Sequence, residues 1–355
     1  MAERFARGGR LIAFGRSPTA RSDARHVAVE FVHPVIVGKR ALPAIGLAGE
    51  GGDLDRQVEL LARADDIAIA FGADEDGGEA ARAVALARAL GCLTIAFSAA
   101  GAEWEFEPPT DDPYICQELV ETLYHVLWEL VHVFFEHRGL LSGRTERRGH
   151  DAGASSFLYP FLAEREDNLD DVLEDVRRSV LMKAGEVCAL RAQTLTDNAG
   201  ELAAAADAVR DRLDAGGALL ALGNGGSATD AMDAVADFRA AGRRAIDLTE
   251  DAAILTAIAN DIGTDAIFSR QVIAYGNGGD ALLAISTSGG SSNVIEALVQ
   301  ARRRGLVTVA LVGYDGGRIA SDGLADHVIV TRSQHIPRIQ EAQASAYHVL
   351  RELVG

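Results

Sequence analysis

An eight-residue string written twice constrains this chain more than any other feature: YHVLWELV at 124–131 returns as YHVLRELV at 347–354, with Trp128 against Arg351 the only difference. Other segments pair in the same order. GGRLIAFG at 8–15 faces GGALLALG at 216–223, and ALGCLTIAF at 89–97 faces RRGLVTVAL at 303–311. Gln117-Glu118 and Gln340-Glu341 keep Gln and His eight residues apart in both copies. The offset between matched positions grows from 208 (Gly15 to Gly223) to 223 (His125 to His348), so the second copy carries loop insertions. These matches imply a tandem duplication of one domain. Copy one is expected over 1–141, a linker over 142–167, and copy two with its leading helices over 168–355.

Composition narrows the class. A chain of 355 residues suits two domains of ordinary size. A formal charge of −18 excludes a basic stripe able to neutralise nucleic-acid phosphates in series. Three cysteines, Cys92, Cys116 and Cys188, lack metal-ligand spacing and are expected to be buried reduced thiols. No apolar run approaches the ~20 residues of a membrane span. The start, MAERFARGG, lacks the apolar core of a signal peptide, so a cytoplasmic location is expected.

Within each half, short apolar runs such as LIAF, IAIAF and LTIAF alternate with Ala/Arg/Glu segments at helical spacing. That alternation predicts α/β architecture: two tandem three-layer α/β/α domains with mostly parallel sheets, doubly wound in the flavodoxin-like manner. The stretch from Asn168 to Arg212 holds no proline and predicts one or two long helices leading into copy two. No comparable helix is expected before Gly8.

Two segments of copy two carry chemistry. In GNGGSATDAMDAVADF at 223–238 a strand ends in a glycine-rich turn, with a helix expected from Ala228 and Ser227 as its cap. In STSGGSSNVIEAL at 286–298, hydroxyls and two glycines again open a helix. Loops of this kind at the carboxyl ends of neighbouring strands offer free N–H groups and hydroxyls to one phosphate.

With GNGGSATDA, ANDIGTDAIFSRQV at 259–272, GDALLAISTSGGSSNVIEA at 279–297 and RIQEAQASAYHVL at 338–350, copy two resembles the SIS (sugar isomerase) domain, specifically the bacterial phosphoheptose isomerases. The resemblance implies that Asn224, Ser227, Ser286, Thr287, Ser288 and Ser291 hold a sugar phosphate, that Asp261 binds the sugar chain, and that Gln340 belongs to the same site. It also implies carbonyl transfer between C1 and C2 by a glutamate base and a histidine acid. His348 takes the histidine position. Asp237 stands at the glutamate position, and Asp233 where zinc-binding members carry histidine. A shortened base costs reach, and two acids four residues apart can also be no more than solvated charges on a helix face.

Copy one departs in the opposite sense. Its first loop reads RSPTARSD, and its second, GADEDGGE at 72–79, puts Asp74, Glu75 and Asp76 where hydroxyls are expected, an arrangement that repels a dianion. Yet His26 and Glu30, at i and i+4 on one helix face, join Gln117 and His125 to match the family's whole metal and acid/base set.

The expected function is therefore a phosphosugar isomerase for a ketose/aldose phosphate such as sedoheptulose 7-phosphate. Its candidate catalytic residues are Glu30, His125, Asp237 and His348, acting through an enediolate, in sites shared between the copies if the two pack as a pseudo-dimer. No cofactor is required, and zinc or another divalent ion is compatible with His26, Glu30, Gln117 and His125. A non-catalytic sugar-phosphate-binding regulatory or scaffold protein is the alternative, and a metal site serving another reaction a third. By resemblance, two chains are expected to pair, bringing four SIS copies into one homodimer.

Overall fold

The computed structural model describes residues 1–34, 39–48, 52–72, 78–136 and 169–355. The linker expected at 142–167 and the acids Asp74, Glu75 and Asp76 lie outside the described residues. The chain divides into two compact units, Met1–Glu186 and Val187–Gly355.

Unit 1 begins with a short helix, α1 (Ala2–Ala6), followed by β1 (Leu11–Phe14), α2 (Pro18–Val32), β2 (Ala44–Leu47), α3 (Leu54–Leu61), β3 (Ile67–Ala70), α4 (Glu79–Ala89), β4 (Leu93–Ala96), β5 (Trp104–Glu105) and α5 (Pro113–Glu136). All strand pairs are parallel, in the order β2-β1-β3-β4-β5, the flavodoxin-like arrangement. Because side chains alternate along a strand, β1 divides its four apolar residues between two cores. Leu11 and Ala13 pack with Val27, Phe31, Tyr124 and Trp128 of α2 and α5. Ile12 and Phe14 pack with Val58, Ala83 and Val84 of α3 and α4. No helix comparable to the 168–212 stretch precedes Gly8: α1 is only five residues long, though its Phe5 is buried and stacks on Phe31.

The helix α6 (Leu169–Asp197) leads to α7 (Ala199–Asp214), so the long helical stretch is two helices. Unit 2 continues with β6 (Leu219–Leu222), α8 (Gly226–Ala240), β7 (Ala245–Asp247), α9 (Ala252–Asp261), a short turn of 3-10 helix at Thr264–Ala266, and α10 (Ser269–Tyr275). It closes with β8 (Ala281–Ser286), α11 (Ser292–Arg303), β9 (Val307–Gly313), α12 (Gly317–Ser321), β10 (His327–Thr331) and α13 (Ile336–Val354). Its sheet order β10-β9-β8-β6-β7, all parallel, is that of unit 1 element for element. The same division recurs: Leu219 and Ala221 face Val209, Phe238 and Tyr347, whereas Leu220 and Leu222 face Phe268, Val294 and Leu298.

The repeated octapeptide forms the C-terminal part of α5 and of α13. Its core face is Tyr124, Trp128 and Val131 in unit 1, and Tyr347, Leu350 and Val354 in unit 2. Leu353 is exposed, because the helical period brings positions 347, 350 and 354 to the sheet. The single differing letter marks a real divergence: Trp128 is fully buried and its Nε1 donates to the Glu30 carbonyl at 2.7 Å, while Arg351 is half-buried. Of the cysteines, Cys92 alone is buried; Cys116 is half-buried against the core of unit 1 and Cys188 is exposed. Among the described residues, no helix is long and apolar enough to cross a membrane.

Candidate active site

In a doubly wound sheet, ligands settle at the carboxyl ends of the strands where the chain reverses its direction of winding. In unit 2 that point falls between β6 and β8, which pair directly. The two hydroxyl- and glycine-rich loops leave these two strands. The first reads Gly223-Asn224-Gly225 and enters α8 at Gly226, two residues earlier than expected. Gly225, with φ 59° and ψ −125°, is the N-cap, a conformation open to glycine, and Ser227 therefore lies inside the first turn, buried. Gly223 has no room for a side chain, since a Cβ would stand 2.1 Å from the Ser227 carbonyl oxygen.

The second loop leaves β8 at Ser286 and enters α11 with Ser291 as N-cap. Ser291 makes no side-chain capping bond, which leaves its hydroxyl for a ligand. Ser286 Oγ accepts from Gly289 N at 3.2 Å and Ser288 Oγ accepts from Gly290 N at 3.2 Å. Ser286 is buried, Thr287 half-buried and Ser288 exposed, so the hydroxyls step outward from the sheet edge. The loop rests on α12, whose Ile319 N donates to Gly289 O at 3.0 Å.

The acid/base candidates stand on α8 and α13. His348 Nε2 of α13 lies 3.7 Å from Asp237 Oδ2 of α8. Burial raises the Asp237 carboxyl to about 6, against the opposing pull of His348 and Arg351. Asp237 Oδ2 has no hydrogen-bond partner among the described residues. One turn earlier Asp233 is buried, and so is Gln340 on α13. The two acids are therefore not solvated charges on an outer face. Asp261 is placed otherwise: it ends α9, exposed, and accepts from Asn260 Nδ2 at 2.7 Å.

Unit 1 gathers a different set. His26 Nε2 is 3.4 Å from His125 Nε2 and 4.0 Å from Glu30 Oε1, and one ligand atom from each lies within 4.8 Å of the other two. Two nitrogens on a tetrahedral zinc, each at ~2.1 Å, stand about 3.4 Å apart. Tyr124 Oη bonds His26 Nδ1 at 2.9 Å and so orients the other ring nitrogen toward the cluster. Burial, and then His125, hold the His26 imidazole well below its usual range, in the neutral form that binds metals. Burial raises Glu30 to about 7, and its Oε2 has no hydrogen-bond partner among the described residues. Gln117 is buried on α5, two turns before His125. The donors present fit a small divalent cation. Among the described residues, Asp233, Asp237 and His348 form no comparable group.

The first loop of unit 1 also differs from its counterpart. Ser17 caps α2, its Oγ accepting from Ala20 N at 3.1 Å, and Pro18 removes a donor. The amides that would meet an anion are thus spent or missing. Arg16 pairs with Glu79, the first residue of α4, whose carboxylate the guanidinium hydrogen bonds hold below the usual range. Neither Arg16, Glu79 nor Asn293 stood out in the sequence. A positive charge opening the first loop of copy one and a negative charge closing the second were the signal.

The SIS domain family matches residues 184–313. The phosphoheptose isomerase of Geobacter sulfurreducens is 45% identical over 162 residues, 44% of this chain and 85% of that protein. This chain belongs to the phosphoheptose isomerase family of SIS-domain proteins. The phosphoheptose isomerase of Chlorobium phaeobacteroides is 42% identical over 212 residues, 57% of this chain and 88% of that protein. Both matches span about half of this chain or little more. The fold likeness spans both copies: the C-terminal domain of glucosamine-fructose-6-phosphate aminotransferase from Francisella tularensis superposes with a TM-score of 0.61 at 8% identity, covering 99% of this chain and 85% of that one. The doubly wound fold therefore holds for both units, and the SIS domain match falls almost wholly in the second.

Proposed function

We propose that the chain is an aldose–ketose isomerase for a sugar phosphate, with sedoheptulose 7-phosphate as the candidate substrate. The observation that carries this is the pair of uncharged, hydroxyl-rich loops at the switch point of unit 2, in a unit whose α8 and α13 also bring Asp237 and His348 together. Asn224, Ser227, Ser286, Thr287, Ser288 and Ser291 would take the phosphate, with Asp261 and Gln340 toward the sugar. Asp237, ionised above pH 6 or so, would remove the proton next to the carbonyl. His348 would then donate to the carbonyl oxygen as the enediolate forms. Incubation of the ketose phosphate with the protein in deuterium oxide tests this. Deuterium at the carbon next to the carbonyl, together with aldose product, is expected; recovery of unlabelled ketose contradicts it.

The cluster of unit 1 is proposed as a zinc site of His26, Glu30 and His125, with Gln117 as a further donor. A metal held there supplies Lewis acidity to a neighbouring oxygen. Metal content after dialysis against zinc should fall in His125→Ala and not in His348→Ala. Two chains are proposed to pair as a homodimer, which the mass of the native protein in solution checks.

The second reading, a sugar-phosphate sensor without turnover, is favoured by Asp237 itself, a carboxylate one methylene shorter than the family's glutamate. Binding with no solvent exchange would establish it.

A further inference from the structure

Both units tie the loop after their first strand to the first turn of the helix that follows the adjacent, central strand. In unit 1 the tie is ionic: Arg16 Nε donates to Glu79 Oε2 at 2.9 Å and Nη2 to Oε1 at 3.0 Å, and Leu54 N adds a third bond to Oε1. In unit 2 it is neutral. Asn224 Nδ2 donates to Asn293 Oδ1 at 2.9 Å, and Asn293 Nδ2 donates to Asn224 Oδ1 at 2.9 Å. Asn293 Oδ1 also accepts from Val294 N at 2.9 Å, which anchors the pair to α11.

The reciprocal pairing fixes the orientation of both amides. Turning either one over would set N–H against N–H and oxygen against oxygen. It occupies both functional ends of Asn224 and leaves one N–H of that side chain for a ligand. It also spans the crevice between the two loops, the place where a phosphate must be enclosed from both sides. A separation wrong by an ångström there weakens contacts from both loops together. Unit 1 bridges the same crevice with a carboxylate, which no phosphate dianion will join.

We propose that Asn293 is a positioning residue of the phosphate site: through Asn224 it sets the distance between the two loops and keeps the bridge uncharged. This rests on the reading that those loops hold phosphate. Ser292 acts alongside, its hydroxyl bonded to Asp265 and so tying α11 to the turn after α9.

Calorimetric titration of the full chain with inorganic phosphate, and kinetics with the sugar phosphate, test the proposal. Asn293→Ala should weaken phosphate binding about tenfold, the effect of one or two lost hydrogen bonds. KM should rise while kcat changes little, and the melting temperature without ligand should stay put, because both amides are at the surface. On an Asn224→Ala background the same change should add under about twofold, since coupled residues are not additive. Asn293→Asp keeps one bond yet should bind phosphate worse than Asn293→Ala, by charge. Unchanged phosphate affinity in Asn293→Ala, or full additivity with Asn224→Ala, overturns the proposal and leaves the phosphate site standing. Failure of the unmodified chain to bind either ligand overturns both.

Discussion

His348 Nε2 lies 3.7 Å from Asp237 Oδ2, an imidazole held against a buried carboxyl group on two helices that pack on one face of the second sheet. Asp237→Asn keeps the shape and removes the base, so turnover should fall by at least ~10²-fold with phosphate affinity retained. Equal loss of affinity would reassign Asp237 to the fold. Asp237→Glu restores the missing methylene and should raise kcat, which steady-state kinetics will show.

The pH dependence follows from the same residue. Burial sets Asp237 near 6, and only its ionised form accepts a proton, so kcat/KM should decline as pH falls through about 6. A profile flat from pH 5 to 8 would remove Asp237 from the proton transfer.

Stability should respond to pH through a different acid. Asp23 on α2 is buried, which lifts its carboxyl from 3.8 to about 8. The folded chain therefore holds a proton that the unfolded chain releases between these values, and stability drops as pH rises across that window. Asp23→Asn has nothing to release. Relative to the unmodified protein it should gain little at pH 4 and on the order of a few kcal/mol by pH 8, read from denaturant midpoints. A gain independent of pH would mean that Asp23 is not the group responsible.

Gly289 is required twice over. Its φ is 59°, and a Cβ there would stand 2.2 Å from the Gly316 carbonyl oxygen. Gly289→Ala should cost on the order of 2 kcal/mol or more and abolish phosphate binding by displacing Ser288. Gly290→Ala, where a Cβ meets nothing nearer than 3.8 Å, should be mild. Melting curves of the two variants make the comparison.

The layered architecture was legible because strands such as LIAF and ALLAIS are buried on both faces, and such runs flanked by helical periods have few other folds available. Both glycine-rich loops of the second copy were legible too: glycines with no room for a Cβ, such as Gly223 and Gly289, leave a mark in sequence that survives any choice of neighbours. Helix entry was misplaced by two residues at Ser227, since a glycine N-cap at Gly225 looks like any other turn residue. The bridges Asn224–Asn293 and Arg16–Glu79 were not legible. Each joins residues more than sixty positions apart, and nothing in either local segment announces its partner. Leu353 shows the converse limit, as an apolar letter inside a repeated motif that the helical period nonetheless turns to the outside.

The most direct test of the central claim is the thermal shift of the intact chain on titration with sedoheptulose 7-phosphate, run beside Ser288→Asp. Concentration-dependent stabilisation of the unmodified protein, absent from Ser288→Asp, is the predicted result. No shift in either protein, or the same shift in both, would show that the two loops of the second unit do not hold a sugar phosphate.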